Sequence, residues 1–566
     1  MTLLVEGKRF EFAMKDDADI NGEVLNKCDG RIRWSRQMDS LLSLVGYCVG
    51  LGNLWRFPYF CNRNGGGAFL IPYLVCLVLI GLPLFFLELS IGQFSGSGAM
   101  HVWSICPLLK GLGFVMSTAS FICSFYFNLI IAWVLYYLAM SFYPVLPWTT
   151  CSNWWNTPAC ATWESDTTRD NLTVSRSVSV SSYVSARRLN VSTSAAEEFW
   201  QYSTLRVSAG LHDMGGIQWH LALALFVAWF IIFLCLIKGV KSVGKVWVEA
   251  MLQMFYSLGV TWGGLHTIAS YNRFSNNCYR DAVIITFLSE GTSFYAGFAI
   301  FSVLGFMAES KGVHISEVIQ AGPGLGFVVY PEALALLPVP QLWAVIFFIM
   351  LLTVGIDSQF GTTETTVTAI VDTFPNKLQR RRGLVTACLC GFSYISGLVL
   401  VTRGGIYVFM LIDRYVATFS LLVVGILECV IIGWIYGAGR FSADIQMMLG
   451  RRPPVFMKLM WCFVSPVLMA ICFILTLVQY QAPTYGDYEY PTYGVAIGLF
   501  IGLVSMVPVP VCMIKELVKT KGSFVERVGT CLRPDSSWGP ISRKHRAEYS
   551  KPVEESSWKN FRIYKW

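Results

Sequence analysis

Apolar runs recur along this chain at the scale of a bilayer. Eleven stretches are apolar over a spanning length, at about 41 to 61, 68 to 90, 113 to 140, 219 to 238, 247 to 272, 282 to 306, 342 to 373, 384 to 401, 407 to 436, 457 to 479 and 493 to 514. A transmembrane helix needs about 20 such residues, so the pattern predicts an all-α multi-pass membrane protein of about 11 spans. Two stretches are interrupted. The first carries GYCVGLGNLWRFPYFCNRNGGGAF from Gly46 to Phe69, with Gly46, Gly50 and Gly52 in its middle and Arg56 and Pro58 just after. The second reads QMFYSLGVTWGG from Gln253 to Gly264 and again clusters small residues, Ser257, Gly259, Gly263 and Gly264.

Such spans are predicted to unwind halfway. Unwound backbone inside a bilayer is tolerated only where it is buried in protein or lines a cavity, because its amides and carbonyls need partners. Freed carbonyls can coordinate a small cation, and a half-helix N-terminus attracts a carboxylate. Two interrupted spans in corresponding halves therefore point to a site for an ion and a solute. A glycine-packed helix interface is the competing reading.

Composition narrows the class. The chain is 54% hydrophobic and 14% charged, with a mean hydropathy of +0.53, whereas soluble domains carry about 25% charged residues. The N-terminus has no apolar core followed by a small-residue cleavage site, so the first span is expected to be its own insertion signal. Lys27, Arg31, Arg33 and Arg36, then Lys238, Lys241 and Lys245, then Arg380 to Arg382, and Arg451 with Arg452 all flank spans, and the positive-inside rule places them in the cytoplasm. They account for the formal net charge of +8 without nucleic acid. The loop between the third and fourth spans carries the sequons at Asn171 and Asn190 and the pair Cys151 and Cys160. Glycosylation and a disulfide both belong outside the cytosol. The expected organisation is a cytoplasmic tail over 1–38, a transporter domain over 39–514 with an extracellular loop at 142–216, and a cytoplasmic tail over 515–566.

Enzyme chemistry finds little footing. GPGLGF at Gly322 to Phe327 follows no predicted strand, and the six histidines show no metal-ligand spacing. Asp357, inside an apolar span, is the strongest single clue, since an intramembrane carboxylate costs a few kcal/mol and is functional by default. An aspartate paired only for structure is the alternative.

NLWRFPY followed by NGGGAF, together with GGLHTIASYNRFSNNCYRD, resembles the neurotransmitter:sodium symporters, in particular their glycine-transporter branch, from about Arg33 to Trp538. The resemblance implies an inverted-repeat fold of five plus five helices and sodium- and chloride-coupled symport of glycine across the plasma membrane by alternating access. A first sodium ion would use Cys48, Asn53, Ser257 and Ser289, and a second Gly46, Val49, Val354, Asp357 and Ser358. Chloride would meet Tyr73, Gln253, Ser257 and Ser293. The substrate would lie among Tyr47, Gly52, Phe127, Tyr256, Gly259, Trp262 and Thr362, with Trp262 filling the space of a larger side chain and Gly259 leaving room for N-methylglycine. Arg56 and Glu428 would form the outer gate. The N-terminus would be cytoplasmic, with lipid around the spans and a homo-oligomer left open.

The chain also departs from that pattern. Phe127 stands where the family has a substrate-binding tyrosine, and losing its hydroxyl is worth about 1 to 3 kcal/mol. Ser289 replaces an asparagine, and the sequence leaves two outcomes open: its shorter hydroxyl reaches or falls short of the first sodium, and Glu290, which follows it, does or does not supply a charge of its own that changes the chloride requirement. His266 replaces an apolar residue and is expected to face water. Finally, KGVKSVGK runs directly into VWVEAMLQMF, so the family's fifth span is missing. Only one span then separates Lys238–Lys245 from Arg273–Arg280, two groups that both read as inside. This leaves two readings of the chain as written: a transporter, or a transport-inactive form that acts by assembling with intact copies.

Overall fold

The computed structural model describes residues 37–50, 53, 56–63, 66–161, 193–236, 255, 257–311, 325–478, 484–485, 488–540, 545–546 and 549, some of them by backbone alone. Helices among them that the site rests on or that cross the molecule are α1 (Gln37–Cys48), α2 (Phe57–Arg63), α3 (Leu70–Ser95), α4 (Gly111–Met140), α5 (Trp219–Leu236), α6 (Gly264–Ala269), α7 (Cys278–Lys311), α8 (Pro340–Thr373), α9 (Arg382–Gly397), α10 (Gly405–Val430), α11 (Val455–Leu477), α12 (Thr492–Lys519) and α13 (Phe524–Cys531), with shorter connecting helices such as Ala438–Leu449 between them.

Among the described residues, eight helices are long and apolar enough to cross a membrane. The other predicted stretches are the two interrupted ones and the shorter apolar helix Trp219–Phe230 within α5. Both interruptions are present. In the first the α-helix ends at Cys48 and the described Val49 and Gly50 after it form bends, while Gly259, Thr261 and Gly263 all take positive φ in the second. For Thr261, at φ 66, this is a strained conformation that a β-branched side chain rarely adopts.

Side-chain sorting follows the bilayer. Every residue of α3 from Leu82 to Phe94 is buried, the all-round pattern of a central helix. In α7, by contrast, Phe287, Tyr295, Phe298 and Phe306 point outward, as lipid-facing positions should. Helices α4 and α8 pack along each other, and α4 also touches α5, α9, α10 and α12, so α4 is a hub around which the site is assembled.

One end of the molecule carries the Cys151–Cys160 disulfide, which the structure forms as the sequence predicts. Thr157, Asn156 and Thr193 beside it all donate to Glu198. Trp200 stacks on Phe327 at this end, with 5.0 Å between ring centroids. At the opposite end Ser40 donates to Asn272 (2.6 Å), Arg382 pairs with Glu364, and the tail docks through Trp538, whose indole N–H donates to Tyr436 (3.2 Å). Helix α12 continues to Lys519, so the expected boundary at 514 falls within a helix.

Two successive segments run the same way. Helix α5 starts at the disulfide end, where the Gln218 amide donates to Val401 O (3.0 Å), and descends past Gly397 and Tyr394 of α9. The second interrupted span descends from Ser257, at the level of Asn53, to Asn272 at the opposite end. Residues 237–254, which join them, lie outside the described residues, as do the sequons at Asn171 and Asn190.

Candidate functional site

The two interruptions face each other, locked by Tyr47. Its hydroxyl donates to Gly259 O (2.9 Å), and its ring lies over Gly259 and Gly264 so closely that a Cβ on either would come within 2.1 and 2.2 Å of it. Gly259 is therefore required by the left-handed turn and by Tyr47. The space above it, expected to admit a substituted nitrogen, holds an aromatic ring.

Beside this contact lies a cluster of oxygens. The Asn53 side-chain amide donates to Ser257 Oγ (3.1 Å), Ser289 O (3.1 Å), Ser289 Oγ (3.4 Å) and Ser293 Oγ (2.8 Å), while its Oδ1 accepts from the Gly50 amide (3.0 Å). Ser289 Oγ also donates to Cys48 O (2.9 Å) and lies 3.3 Å from Ser257 O. The amide NH2 thus stands where a cation would, ringed by carbonyl and hydroxyl oxygens from α7 and from both interruptions. A hard cation wants this donor set, and a half-turn of the Asn53 amide adds Oδ1 to it. The shorter Ser289 hydroxyl reaches this cluster because α7 packs directly against α1.

The residues expected to hold a second ion lie on α1 and α8, which also pack together. Ser358 Oγ donates to Val354 O (3.0 Å). The side chain of Asp357 lies outside the described residues, as do Gly52, Gln253 and Tyr256.

Three expected chloride donors converge, and a carboxylate sits among them. Tyr73 donates to Glu290 Oε2, with the hydroxyls of Ser257 and Ser293 beside the same group. All four residues are buried.

Trp262 is buried, and its carbonyl accepts from Ser120 of α4 (2.8 Å). Thr362 is buried as well, and Phe127 is partly so. Tyr126 turns away to meet Phe409 edge-on at 5.6 Å.

Two expectations need correction. Arg56 does not pair with Glu428: its Nη2 donates to Asp413 Oδ2 at 2.5 Å. Asp413 and Glu428 share α10 but lie fifteen residues apart, about 22 Å along the axis at 1.5 Å per residue, so one arginine cannot serve both. His266 does not face water. It is fully buried, with Nδ1 3.1 Å from Glu88 Oε2, while Glu88 Oε1 accepts from the amide of the strained Thr261 (2.5 Å). Glu88, which the sequence reading passed over, is an acid within an apolar run and carried the same signal as Asp357.

An interrupted pair of spans around a cation-sized oxygen cluster is the geometry of an ion-coupled carrier, and known proteins agree. The model of the sodium:neurotransmitter symporter family matches residues 31–246 and 244–520. The chain belongs to this family. Its members are symporters, so the chain belongs to a family of transporters and not of enzymes. It is 39% identical over 588 residues to the sodium- and chloride-dependent glycine transporter 2 of Xenopus laevis, covering 93% of this chain and 74% of that protein. Identity to the Xenopus laevis sodium- and chloride-dependent glycine transporter 1 is 40% over 579 residues, covering 93% and 92%. The sodium- and chloride-dependent creatine transporter 1 of Mus musculus is also 40% identical, over 584 residues covering 93% and 91%. Each alignment is longer than the 566 residues of this chain, so each relative carries residues that this symporter lacks.

Proposed function

We propose that this site takes glycine, or an amino acid of similar size, together with sodium, for coupled uptake at the plasma membrane. The observation that carries the reading is the oxygen ring around the Asn53 amide, beside the Tyr47 ring that covers Gly259 and Gly264. Sodium adds its charge where carbonyl and hydroxyl dipoles already converge, and the membrane potential drives it inward with about 2.3 kcal/mol per charge per 100 mV. Glycine is favoured over creatine because the Tyr47 ring already fills the space over Gly259 and Gly264 and leaves little room for a substituent there. Asp357 completes the second ion site. The test is labelled-glycine uptake by a form carrying a family-like fifth span. Asp357→Ala should abolish its sodium-driven part, and unchanged sodium dependence, or uptake of creatine in place of glycine, would overturn the reading.

Chloride is not required in this reading, despite the chloride dependence in its relatives' names. The Glu290 carboxyl group, met by Tyr73 with Ser257 and Ser293 beside it, occupies the place where a mobile anion would sit.

A second reading concerns the chain as written. The two family-matched stretches abut at residues 244–246, between α5 and the second interrupted span, which run in the same direction. This favours the absence of the family's fifth span and, with it, a form that does not transport alone.

A further inference from the structure

Behind the second interruption, three helices each contribute one ligating side chain to a single point. Glu88 comes from α3, His266 from α6 and Glu428 from α10, and one ligand atom of each lies within 4.8 Å of the others. All three side chains are fully buried. Among the described residues, both Glu428 oxygens lack a hydrogen-bond partner, as do Glu88 Oε2 and both ring nitrogens of His266. No lysine or arginine among them pairs with either acid.

We infer that Glu88, His266 and Glu428 form a binding site for one divalent transition-metal ion of the zinc class, separate from the ions of transport. Two carboxylates and a neutral imidazole carry a charge of −2, which a divalent ion cancels. The imidazole decides the class: alkali and alkaline-earth ions take oxygen ligands, whereas a nitrogen with two carboxylates suits zinc or cobalt. Ligand atoms around a tetrahedral zinc, about 2.0 to 2.2 Å from the metal, lie about 3.4 Å from one another. His266 Nδ1 and Glu88 Oε2 are already 3.1 Å apart, so only Glu428 has to close in, and water can take the fourth position. Trp103, its ring centroid 5.9 Å from that of His266, limits rotation of the imidazole.

The site is coupled to the interruption through Glu88, which holds the Thr261 amide with one oxygen and faces the metal position with the other. A bound ion ties α6 to α3 and α10 and so restrains the half-helix below the substrate.

The test uses the purified full-length chain in detergent, stripped with chelator and titrated with cobalt(II), then competed with zinc(II). Expected are the visible bands of four-coordinate cobalt at one equivalent per chain, displaced by zinc. A lost ligand should cost at least as much as the 10- to 100-fold typical of outer-shell partners, so His266→Leu and Glu428→Gln should each weaken zinc binding roughly 100-fold, while the exposed-site control His212→Gln keeps it. Absence of saturable cobalt binding in the unmodified chain overturns the site, as does unchanged affinity in a monodisperse His266→Leu. If both site variants misfold, X-ray absorption of the zinc-loaded unmodified chain decides. One imidazole with oxygen ligands supports the site, and sulfur or several imidazoles overturn it. Two carboxylates that share a proton instead would appear as a chain that binds no metal, which also overturns it.

Discussion

At Glu290 the proposed reading lets a single residue decide which anion accompanies the cation. Tyr73, Ser257 and Ser293 all meet there, and in that reading the carboxylate takes the place of a free ion. Uptake by the form with a restored fifth span should therefore persist in chloride-free medium, and Glu290→Ser should make it chloride-dependent, lowering it about tenfold when chloride is replaced by gluconate. Equal chloride dependence in both forms would remove Glu290 from this role. Selectivity is a second single-residue matter. Trp262→Ala opens a volume beside the interruption, so alanine should begin to compete with labelled glycine; if the variant still accepts glycine alone, another residue sets the size limit. Asn53 and Ser257 stand in the two interrupted stretches, where a broken span draws notice to its polar residues, whereas Ser293, on α7, was placed only by the family resemblance. The partner of Arg56 was not legible. An acid in a span is visible as an anomaly, but which of two acids on α10 reaches a given arginine depends on axial position, which the sequence alone does not give. Glu88 and His266 were illegible as a pair because 178 positions of chain separate them, and contact across that distance is set by packing of α6 on α3.

The elements at the disulfide end are held by one carboxylate. Burial by itself would raise the pKa of Glu198, but the Thr157 hydroxyl and amide, the Asn156 amide and the Thr193 hydroxyl outweigh it and hold the group below the usual carboxylate range. These bonds join the Cys151–Cys160 loop to the helical turn Ala195–Glu198. A carboxyl whose folded pKa is depressed stabilises the fold fully above its unfolded value, about 4.3, and the contribution disappears as pH falls through the lower folded value. The loop should accordingly resist proteolysis at neutral pH and open to an acid-active protease as pH drops below about 4. Glu198→Gln should be nicked more readily at neutral pH and show a flatter acid response. An acid transition of the same size in the variant would mean that another group controls the loop. The helices themselves were readable because hydrophobic length marks a span, whereas this tether, made by short polar side chains on both sides of the segment 162–192, has no periodic signal.

At the scale of the whole molecule the decisive feature is direction. Alternating access in an inverted-repeat carrier rocks one repeat against the other about the two broken spans, which requires each repeat to keep its alternation of upward and downward helices. Here α5 and the second interrupted span both descend from the disulfide end, and the family match divides between them at 244–246. Residues 237–254 must therefore connect the foot of one descending segment to the head of the next. Fully extended they are long enough, at about 3.3 to 3.6 Å per residue, but an extended return through hydrocarbon leaves backbone amides without partners. The alternatives are for the second interrupted span to run upward instead, which puts Arg273–Arg280 on the wrong side by the positive-inside rule, or for a later segment to stay out of the membrane. Either way the oxygen ring around Asn53 and the α1–α8 ion site cannot both keep their geometry through a transport cycle. The chain as written should therefore show no sodium-dependent glycine uptake above background, while the same chain with a family-like span inserted between Lys245 and Val246 should transport and should carry glycans at Asn171 and Asn190 at the cell surface. Robust uptake by the unmodified chain, measured beside its surface glycosylation, would show that residues 237–254 make the return by themselves.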